Sequence, residues 1–271
     1  MTLTLLLDRL GFGEGPRWHD GRLWFSDFLH QHVASVGIDG DVRVELTIDD
    51  RPSGLGWLPD GRLLVVSMRR RAVLRVEPDG TAVLHADLSL LATSDCNDMV
   101  VAADGTAYVG NFGSDIVAGE PRRSATLAVV RPDGSVVAGP GDLEFPNGSV
   151  ITPDGRTLIV GESLASRYSA FTIADDGLLH DRRVWAEVPG RSPDGCALDT
   201  KGAIWFADAR GGDVVRVLEG GEITNSVQTP DNVYACALGG HEGRTLFVLT
   251  SGTTPQHDAP LNTGRIWTMP T

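Results

Sequence analysis

Three features of the sequence predict an all-β fold, a six-bladed β-propeller with four-stranded blades: a motif that recurs six times, its regular spacing, and a composition rich in turn residues. The chain has 271 residues, including 33 glycines and 15 prolines, which suits many tight turns between short strands. Hydrophobic residues make up 41% and charged residues 22%, so a packed core can form. We expect a single domain over residues 1–271.

The recurring motif is a polar turn containing glycine, followed by a short apolar strand. Asp-Gly before an apolar run predicts a β-hairpin, because glycine adopts positive φ without steric cost. The copies are HDGRLWFSD (19–27), PDGRLLVVS (59–67), ADGTAYVGN (103–111), PDGRTLIVGES (153–163), TKGAIWFAD (200–208) and HEGRTLFVLT (241–250). Their glycines are spaced by 40, 44, 50, 47 and 41 residues, which is the period of propeller blades.

The two ends of the chain predict how the ring closes. Each motif is followed by a second pair of strands, as in AVLRVEPDGTAVLH (72–85), but the last repeat offers only three strands, near 234–239, 244–250 and 264–269. The N-terminal TLTLLLD (2–8) has no hairpin partner and is predicted to complete the last blade, which removes two sheet edges. A β-sandwich with a long insertion is the alternative, but it gives no reason for six similar spacings.

Charge and cysteine content exclude several classes of function. The formal net charge is −13, and such an acidic surface repels phosphates and anionic lipids, so we expect neither a nucleic acid nor a membrane as partner. The three cysteines are too few and too widely spaced for a disulfide framework. The N-terminus lacks the features of a signal peptide, and no apolar run reaches the roughly 20 residues of a membrane span. We therefore expect a cytoplasmic protein.

Aligning the repeats on the turn glycine reveals one position that is mostly polar. The residues that precede this glycine by eight positions are Ser53, Asn97, Asn147, Asp194 and Ala235, and Glu14 precedes its glycine by seven. Equivalent positions of a propeller surround the central channel, so the two carboxylates and two amides of this set should converge there. These four residues are Glu14, Asn97, Asn147 and Asp194.

Such a set of oxygen atoms predicts one bound divalent metal ion. Carboxylate and amide oxygens suit Ca²⁺ best, with Mg²⁺, Mn²⁺ and Zn²⁺ as alternatives. Two carboxylates crowded into a channel repel each other unless a cation offsets their charge. Turn or capping roles are the alternative, because Asn and Asp are common in turns. Four such residues at one repeat position favour the metal.

The chain also contains the motifs GEGPRW (13–18), CNDMVVAADG (96–105), FPNGSVITPDG (145–155) and SPDGCALDTKGAIWFAD (192–208). In their order and spacing, over nearly the whole chain, they resemble the regucalcin/gluconolactonase family, also called the senescence marker protein family. The resemblance implies a six-bladed propeller with one catalytic divalent metal in its channel, which hydrolyses lactones of sugar acids or related esters. It also implies Glu14, Asn147 and Asp194 as metal ligands. Asn97 would lie beside the metal and contact substrate or water.

One position departs from the pattern of the family. Animal sugar-lactone members carry Arg two residues before the position of Asn97, where this chain has Asp95. A carboxylate cannot replace the guanidinium fork that binds sugar hydroxyls or acids. Lactone hydrolysis is therefore expected, with either a sugar lactone or a different cyclic ester as the substrate.

The resemblance and the channel residues together predict metal-assisted hydrolysis. A divalent ion polarises a lactone carbonyl and lowers the pKa of a bound water. Asp194 is the expected proton acceptor, with Asp98 as the alternative. We expect Asn97, Asn111 and Asp95 to contact the substrate.

The loops after the second strand of each blade should rise on the same face as the channel residues. We expect some of the residues in these loops to line a substrate pocket. The candidates are Phe28, His30, His32, Met68, Arg69, Asn111, Phe112, Glu162, Asp208 and Arg210. His30 and His32 are two residues apart, on opposite faces of an extended strand, so we do not expect them to share a metal.

Two alternative functions would use the same channel. An ester or organophosphate hydrolase would employ the same metal, whereas a calcium-binding propeller would perform no chemistry. No Gly-x-Ser-x-Gly motif indicates a serine nucleophile. Converging carboxylates favour an enzyme that acts on a small lactone or ester, because a scaffold has no need of them.

Overall fold

The structure is a computed structural model that describes residues 2–115, 118–254 and 262–271. Its 24 β-strands form six four-stranded antiparallel sheets, which confirms the predicted six-bladed propeller. Within the described ranges the helical structure is one short 3₁₀ turn, His241–Gly243. None of the helices in these ranges has both the length and the apolar character needed to cross a membrane.

The first three blades follow one another along the chain. Blade 1 consists of β2 (Gly13–His19), β3 (Arg22–Asp27), β4 (His32–Val36) and β5 (Val42–Thr47). Blade 2 consists of β6 (Pro52–Trp57), β7 (Leu63–Ser67), β8 (Ala72–Val76) and β9 (Ala82–Asp87). Blade 3 consists of β10 (Cys96–Val101), β11 (Ala107–Asn111), β12 (Ala128–Val130) and β13 (Val136–Ala138).

The remaining blades complete the ring. Blade 4 consists of β14 (Pro146–Ile151), β15 (Thr157–Glu162), β16 (Arg167–Ile173) and β17 (Leu179–Glu187). Blade 5 consists of β18 (Pro193–Leu198), β19 (Ile204–Asp208), β20 (Asp213–Val217) and β21 (Ile223–Gln228). Blade 6 consists of β22 (Asn232–Gly239), β23 (Thr245–Ser251), β24 (Gly264–Pro270) and β1 (Thr4–Leu10).

The N-terminal strand closes the ring as the sequence predicts. β1 pairs antiparallel with β24 and becomes the outermost strand of blade 6, with Leu5 opposite Trp267 and Leu7 opposite Ile266. The pairing covers the edge of β24, which would otherwise present unpaired backbone groups. Blade 6 is therefore built from both ends of the chain.

The apolar core is divided among the interfaces between blades. Six apolar clusters of described residues each combine side chains from two adjacent blades, one cluster for each interface. In the cluster that joins blades 6 and 1, for example, Phe247 and Phe25 are both fully buried. Since every sheet packs against both of its neighbours, blades 1 and 6 each keep one apolar face uncovered until they pack against each other and complete the ring.

The first strand of each blade lies innermost, and these six strands contact one another around the channel. A Cβ atom on Gly54 would lie 2.3 Å from the backbone nitrogen of Met99, and one on Gly148 would lie 2.4 Å from the carbonyl oxygen of Asp194. Only glycine allows the backbones to approach this closely. This explains why glycine follows Ser53 and Asn147 in the sequence.

This close approach predicts a large effect of one added methyl group. Gly148→Ala should lower the free energy of unfolding by roughly 2–3 kcal/mol, because its Cβ meets rigid backbone. Gly141→Ala is the matched control, since its Cβ would meet only the side-chain oxygen of Thr126, at 3.3 Å. Urea unfolding of both variants measures the difference. Equal midpoints would contradict the packing of the inner strands.

Candidate functional site

Four polar side chains begin the inner strands of four different blades. Glu14, Asn97, Asn147 and Asp194 are each the second residue of their strand. Glu14, Asn97 and Asn147 are buried, and Asp194 is partly buried. The electrostatic influence of Asp194 on Glu14, and a hydrogen bond between Asn147 and Asp194, place these three within reach of one another. The antiparallel topology brings all four residues to the same end of the channel.

A recurring backbone irregularity sets the direction of these side chains. In blades 1 to 5 the pairing between the first and second strands shifts register across the site position, for example between Glu14 and Arg17 and between Pro146 and Ser149. Such bulges increase the local twist and redirect a side chain. The repeat therefore supplies a common local geometry at every site position in these five blades.

Burial and like charge disfavour the ionised carboxylates of this cluster. Burial raises the pKa of Asp194 to about 8, and the charge of Asp98 adds to the rise. The pKa of Glu14 is raised well above its usual range, first by burial and then by the charges of Asp194 and Asp98. The hydrogen bond from Asn147 opposes the shift in the pKa of Asp194. Both carboxylates thus favour a bound proton or a nearby cation.

An ion pair that was not predicted from the sequence offsets one of the negative charges at this site. Arg17 extends from β2 to β10, where its Nη2 lies 2.8 Å from Oδ1 of Asp98. The same oxygen accepts a hydrogen bond from the backbone nitrogen of Met99 at 2.8 Å. The carboxylates of Glu14, Asp98 and Asp194 lie close enough for their charges to interact, and the guanidinium of Arg17 pairs with Asp98. When all three are ionised, two negative charges are left, which one divalent cation would neutralise.

The two amides are oriented by hydrogen bonds to serines. Nδ2 of Asn147 donates to Oγ of Ser163 at 3.2 Å, which leaves Oδ1 as an oxygen ligand for a cation. Oδ1 of Asn97 lies 3.5 Å from Oγ of Ser53, which leaves Nδ2 as a donor. The donor set of Glu14, Asn147 and Asp194 therefore fits a hard divalent ion.

Polar residues at the ends of the second strands mostly form hydrogen bonds and ion pairs within the protein. Asn111 donates from Nδ2 to the carbonyl oxygen of Thr126 at 2.9 Å and accepts from the backbone nitrogen of Gly113 at 3.0 Å. A contact of Asn111 with substrate stays a prediction, and it would require these bonds to open. The carboxylates of Glu162 and Asp208 are at most 1% exposed and are held by arginines, so they cannot line a pocket.

Asp95 lies at the channel mouth. It is partly buried, and its carbonyl oxygen accepts a hydrogen bond from the backbone nitrogen of Phe112 at 3.0 Å. Burial raises the pKa of Asp95, and the positive charge of Arg69 opposes this. The structure thus places Asp95 and Arg69 together beside one of the predicted pocket residues.

A second cation-binding arrangement lies on blade 1. One ligand atom each from Asp27, His30 and His32 lies within 4.8 Å of the others, which suits an ion such as Zn²⁺. The prediction that the two histidines point to opposite faces is wrong, because their rings stack with centroids 5.6 Å apart. Gln31, between them, has φ of 56°, so the segment is a turn and not an extended strand.

An apolar cluster of loop and strand residues lies at the same end of the channel. Phe12, Phe28, Met68 and Tyr234 are its buried members, and Leu29, Phe112 and Ala209 are partly buried at its edge. Phe28, Met68 and Phe112 were predicted from the sequence as pocket residues, whereas Phe12 and Tyr234 were not. Their positions in the repeat could have identified them, since Phe12 precedes Glu14 by two residues and Tyr234 directly precedes Ala235, the equivalent residue of blade 6.

Comparison with known proteins gives one consistent result. The family described as SMP-30/gluconolactonase/LRE-like region matches residues 12–252. Pentonolactonase XacC of Haloferax volcanii is 28% identical, over 93% of this chain and 86% of its own length. Regucalcin of Gallus gallus is 26% identical, over 90% of this chain and 84% of its own. A gluconolactonase structure from Xanthomonas campestris has a TM-score of 0.79 and 27% identity, and covers 99% of this chain and 89% of its own.

The raised pKa of Asp194 predicts how pH affects the metal-free protein. Between about pH 4, where an unfolded Asp titrates, and the folded value of about 8, the folded protein binds the extra proton. Stability in EDTA should therefore fall as the pH rises through this range. Excess Ca²⁺ should remove the loss, because the ion binds the ionised carboxylates.

Melting temperatures at several pH values, with EDTA and with Ca²⁺, measure this effect. Asp194→Asn is the control, because its amide does not titrate and should make the slope in EDTA shallower. An identical slope in this variant and the wild type would show that Asp194 ionises normally.

Proposed function

Since the chain belongs to the SMP-30/gluconolactonase/LRE-like family, we propose that it is an enzyme that hydrolyses lactones with one divalent metal ion in its channel. The observation that carries the proposal is the charge imbalance of the channel, where the charges of three carboxylates interact and Arg17 pairs with one of them, Asp98. The pentonolactonase and gluconolactonase among its relatives support the reaction class. We also expect a small-molecule lactone as partner, a cytoplasmic location and a single domain.

Three residues would hold the ion. Glu14, Asn147 and Asp194 supply one hard oxygen ligand each from three blades, and Ca²⁺ suits them best. When bound, such an ion supplies a Lewis acid for a lactone carbonyl and lowers the pKa of water. The closed ring of inner strands fixes the spacing of the three side chains, so the site is formed before any ligand arrives.

Asp194 is the residue best suited to move the proton. In hydrolysis, a water oxygen bonds to the carbonyl carbon, the acyl–oxygen bond of the ring breaks, and one water proton ends on the released alkoxide. A carboxylate oxygen of Asp194 accepts the proton from water and returns it to the ring oxygen. Asp98 is less suited, because its Oδ1 already accepts hydrogen bonds from Arg17 and from the backbone nitrogen of Met99.

Asn97 is positioned to bind the substrate. Its Oδ1 faces Ser53, so Nδ2 can donate to the carbonyl oxygen of the lactone as negative charge develops there. Asp95 lies two residues earlier and would contact the part of the substrate nearest blade 3. The four residues thus divide into a cation-binding group of three and one oxyanion donor.

Substitution of the acidic ligands tests the proposal. Glu14→Gln and Asp194→Asn should each abolish stoichiometric Ca²⁺ or Mn²⁺ binding and lower hydrolysis of γ- and δ-lactones by at least about a thousandfold. Calorimetry measures the stoichiometry, and proton release measures the hydrolysis. Aryl esters and organophosphates belong in the same screen, because they would identify the alternative reaction classes.

His32→Ala is the control that separates the two candidate cation sites. It removes one of the three ligands on blade 1 but leaves the channel intact. We expect this variant to keep one bound ion and wild-type hydrolysis. Loss of the ion in His32→Ala, or full activity of metal-free Asp194→Ala, would refute the proposed site.

A further inference from the structure

A symmetric hydrogen bond ties together the loops at the channel mouth. In blades 1 to 5, the residue directly after the second strand donates its backbone N–H to the carbonyl of the residue two positions before the site residue. The pairs are Phe28–Phe12, Met68–Arg51, Phe112–Asp95, Ser163–Phe145 and Ala209–Ser192, with N···O distances of 3.0–3.1 Å. This repeated bond fixes five pairs of side chains in a ring around the mouth.

The side chains of this ring are mostly apolar. Of the five donors, Phe28, Met68, Phe112 and Ala209 are apolar, and all four belong to the apolar cluster at the mouth. The ring of Phe12 stacks on Phe28 with centroids 5.4 Å apart. Phe112 stacks in the same way on Phe145, at 4.5 Å. Apolar surface from five blades therefore takes part in this ring.

This cluster borders the carboxylates of the channel. Tyr234 contacts Phe12 with ring centroids 4.6 Å apart, and Phe12 lies two residues before Glu14. The phenol of Tyr234 is close enough to Asp194 and Glu14 for their charges to raise its pKa, after burial as the main cause. A substrate whose carbonyl reached the channel would therefore have its remaining atoms among these apolar side chains.

The polar groups of the ring are largely occupied by the protein. Oγ of Ser163 donates to the carbonyl oxygen of Pro193 at 2.5 Å, and Oγ of Ser192 donates to the carbonyl oxygen of Ser163 at 3.0 Å. Asp95 lies beside the positive charges of Arg69 and Arg51. Several sugar hydroxyls would find few free hydrogen-bond partners here, and a hydroxyl that is buried without a partner weakens binding.

From this arrangement we propose that the enzyme prefers a lactone whose ring carries an apolar alkyl or aryl substituent over a polyhydroxylated sugar lactone. The inference rests on the proposed lactonase function and names its substrate class. The carbonyl faces Asn97 and the channel carboxylates, and the apolar substituent contacts Phe112 and Leu29, the partly buried edge of the cluster whose buried members are Phe28 and Met68.

A homologous series of δ-lactones tests the preference with the calcium-loaded wild-type protein. From δ-valerolactone through δ-hexalactone to δ-octalactone, kcat/KM should rise by about fourfold per added methylene, the factor expected for burial of each CH₂. D-Glucono-δ-lactone should be hydrolysed with a lower kcat/KM than δ-octalactone. Calorimetry with non-hydrolysed lactams tests the preference without turnover. The affinity for propyl-substituted δ-valerolactam should be higher than the affinity for δ-valerolactam itself.

Two variants assign the preference to the apolar cluster. Phe112→Ala should lower the ratio of kcat/KM for δ-octalactone over δ-valerolactone by about tenfold, because it removes the partly buried edge of the cluster. Leu29→Ala should lower the same ratio by a smaller factor. It replaces Phe112→Ala as the test variant if Phe112→Ala does not fold. Leu84→Ala is the matched control, since this leucine is 63% exposed on the outermost strand of blade 2 and should leave the ratio unchanged.

The outcomes separate the two proposals. A higher kcat/KM for D-glucono-δ-lactone than for δ-octalactone, or no change of the ratio in both cluster variants, would overturn the substrate class and leave the lactonase function standing. No hydrolysis of any lactone by the calcium-loaded protein would overturn both. A rising series that flattens in Phe112→Ala and persists in Leu84→Ala supports both.

Discussion

The close packing of six inner strands into a closed ring is the constraint on which the rest of the structure depends. The backbones meet at distances that only glycine permits at Gly54 and Gly148. Around this ring the apolar interfaces hold every blade between two neighbours, and β1 supplies the strand that the last blade lacks. As a result, the charge of Asp194 helps to raise the pKa of Glu14, which lies 180 residues away in the chain.

The ring of inner strands brings carboxylates close together, and their mutual repulsion opposes folding when no cation is bound. Glu14 and Asp98 are buried and Asp194 is partly buried, and the guanidinium of Arg17 offsets the charge of Asp98. Proteins keep such local conflicts at functional sites, where a ligand resolves them. The proposed ligand is a divalent cation, and the same excess charge that would destabilise the metal-free protein would give the ion its affinity.

The sequence was sufficient for the fold, because a repeated turn fixes the blades. It also predicted that Glu14, Asn147 and Asp194 approach one another, because they occupy equivalent positions in the repeat. It was not sufficient for contacts between blades. Nothing in the spacing relates Arg17 to Asp98, or Phe12 to Tyr234, since those contacts depend on the curvature of the whole ring. The relation of His30 to His32 was also misjudged, because the turn at Gln31 breaks the alternation assumed for an extended strand.

The most direct measurement is a crystal structure grown with Mn²⁺ and analysed by anomalous scattering. We expect one strong peak in the channel, within about 2.1–2.5 Å of oxygen atoms of Glu14, Asn147 and Asp194. An empty channel at saturating Mn²⁺, or a peak found only at Asp27, His30 and His32, would contradict the proposed metal site.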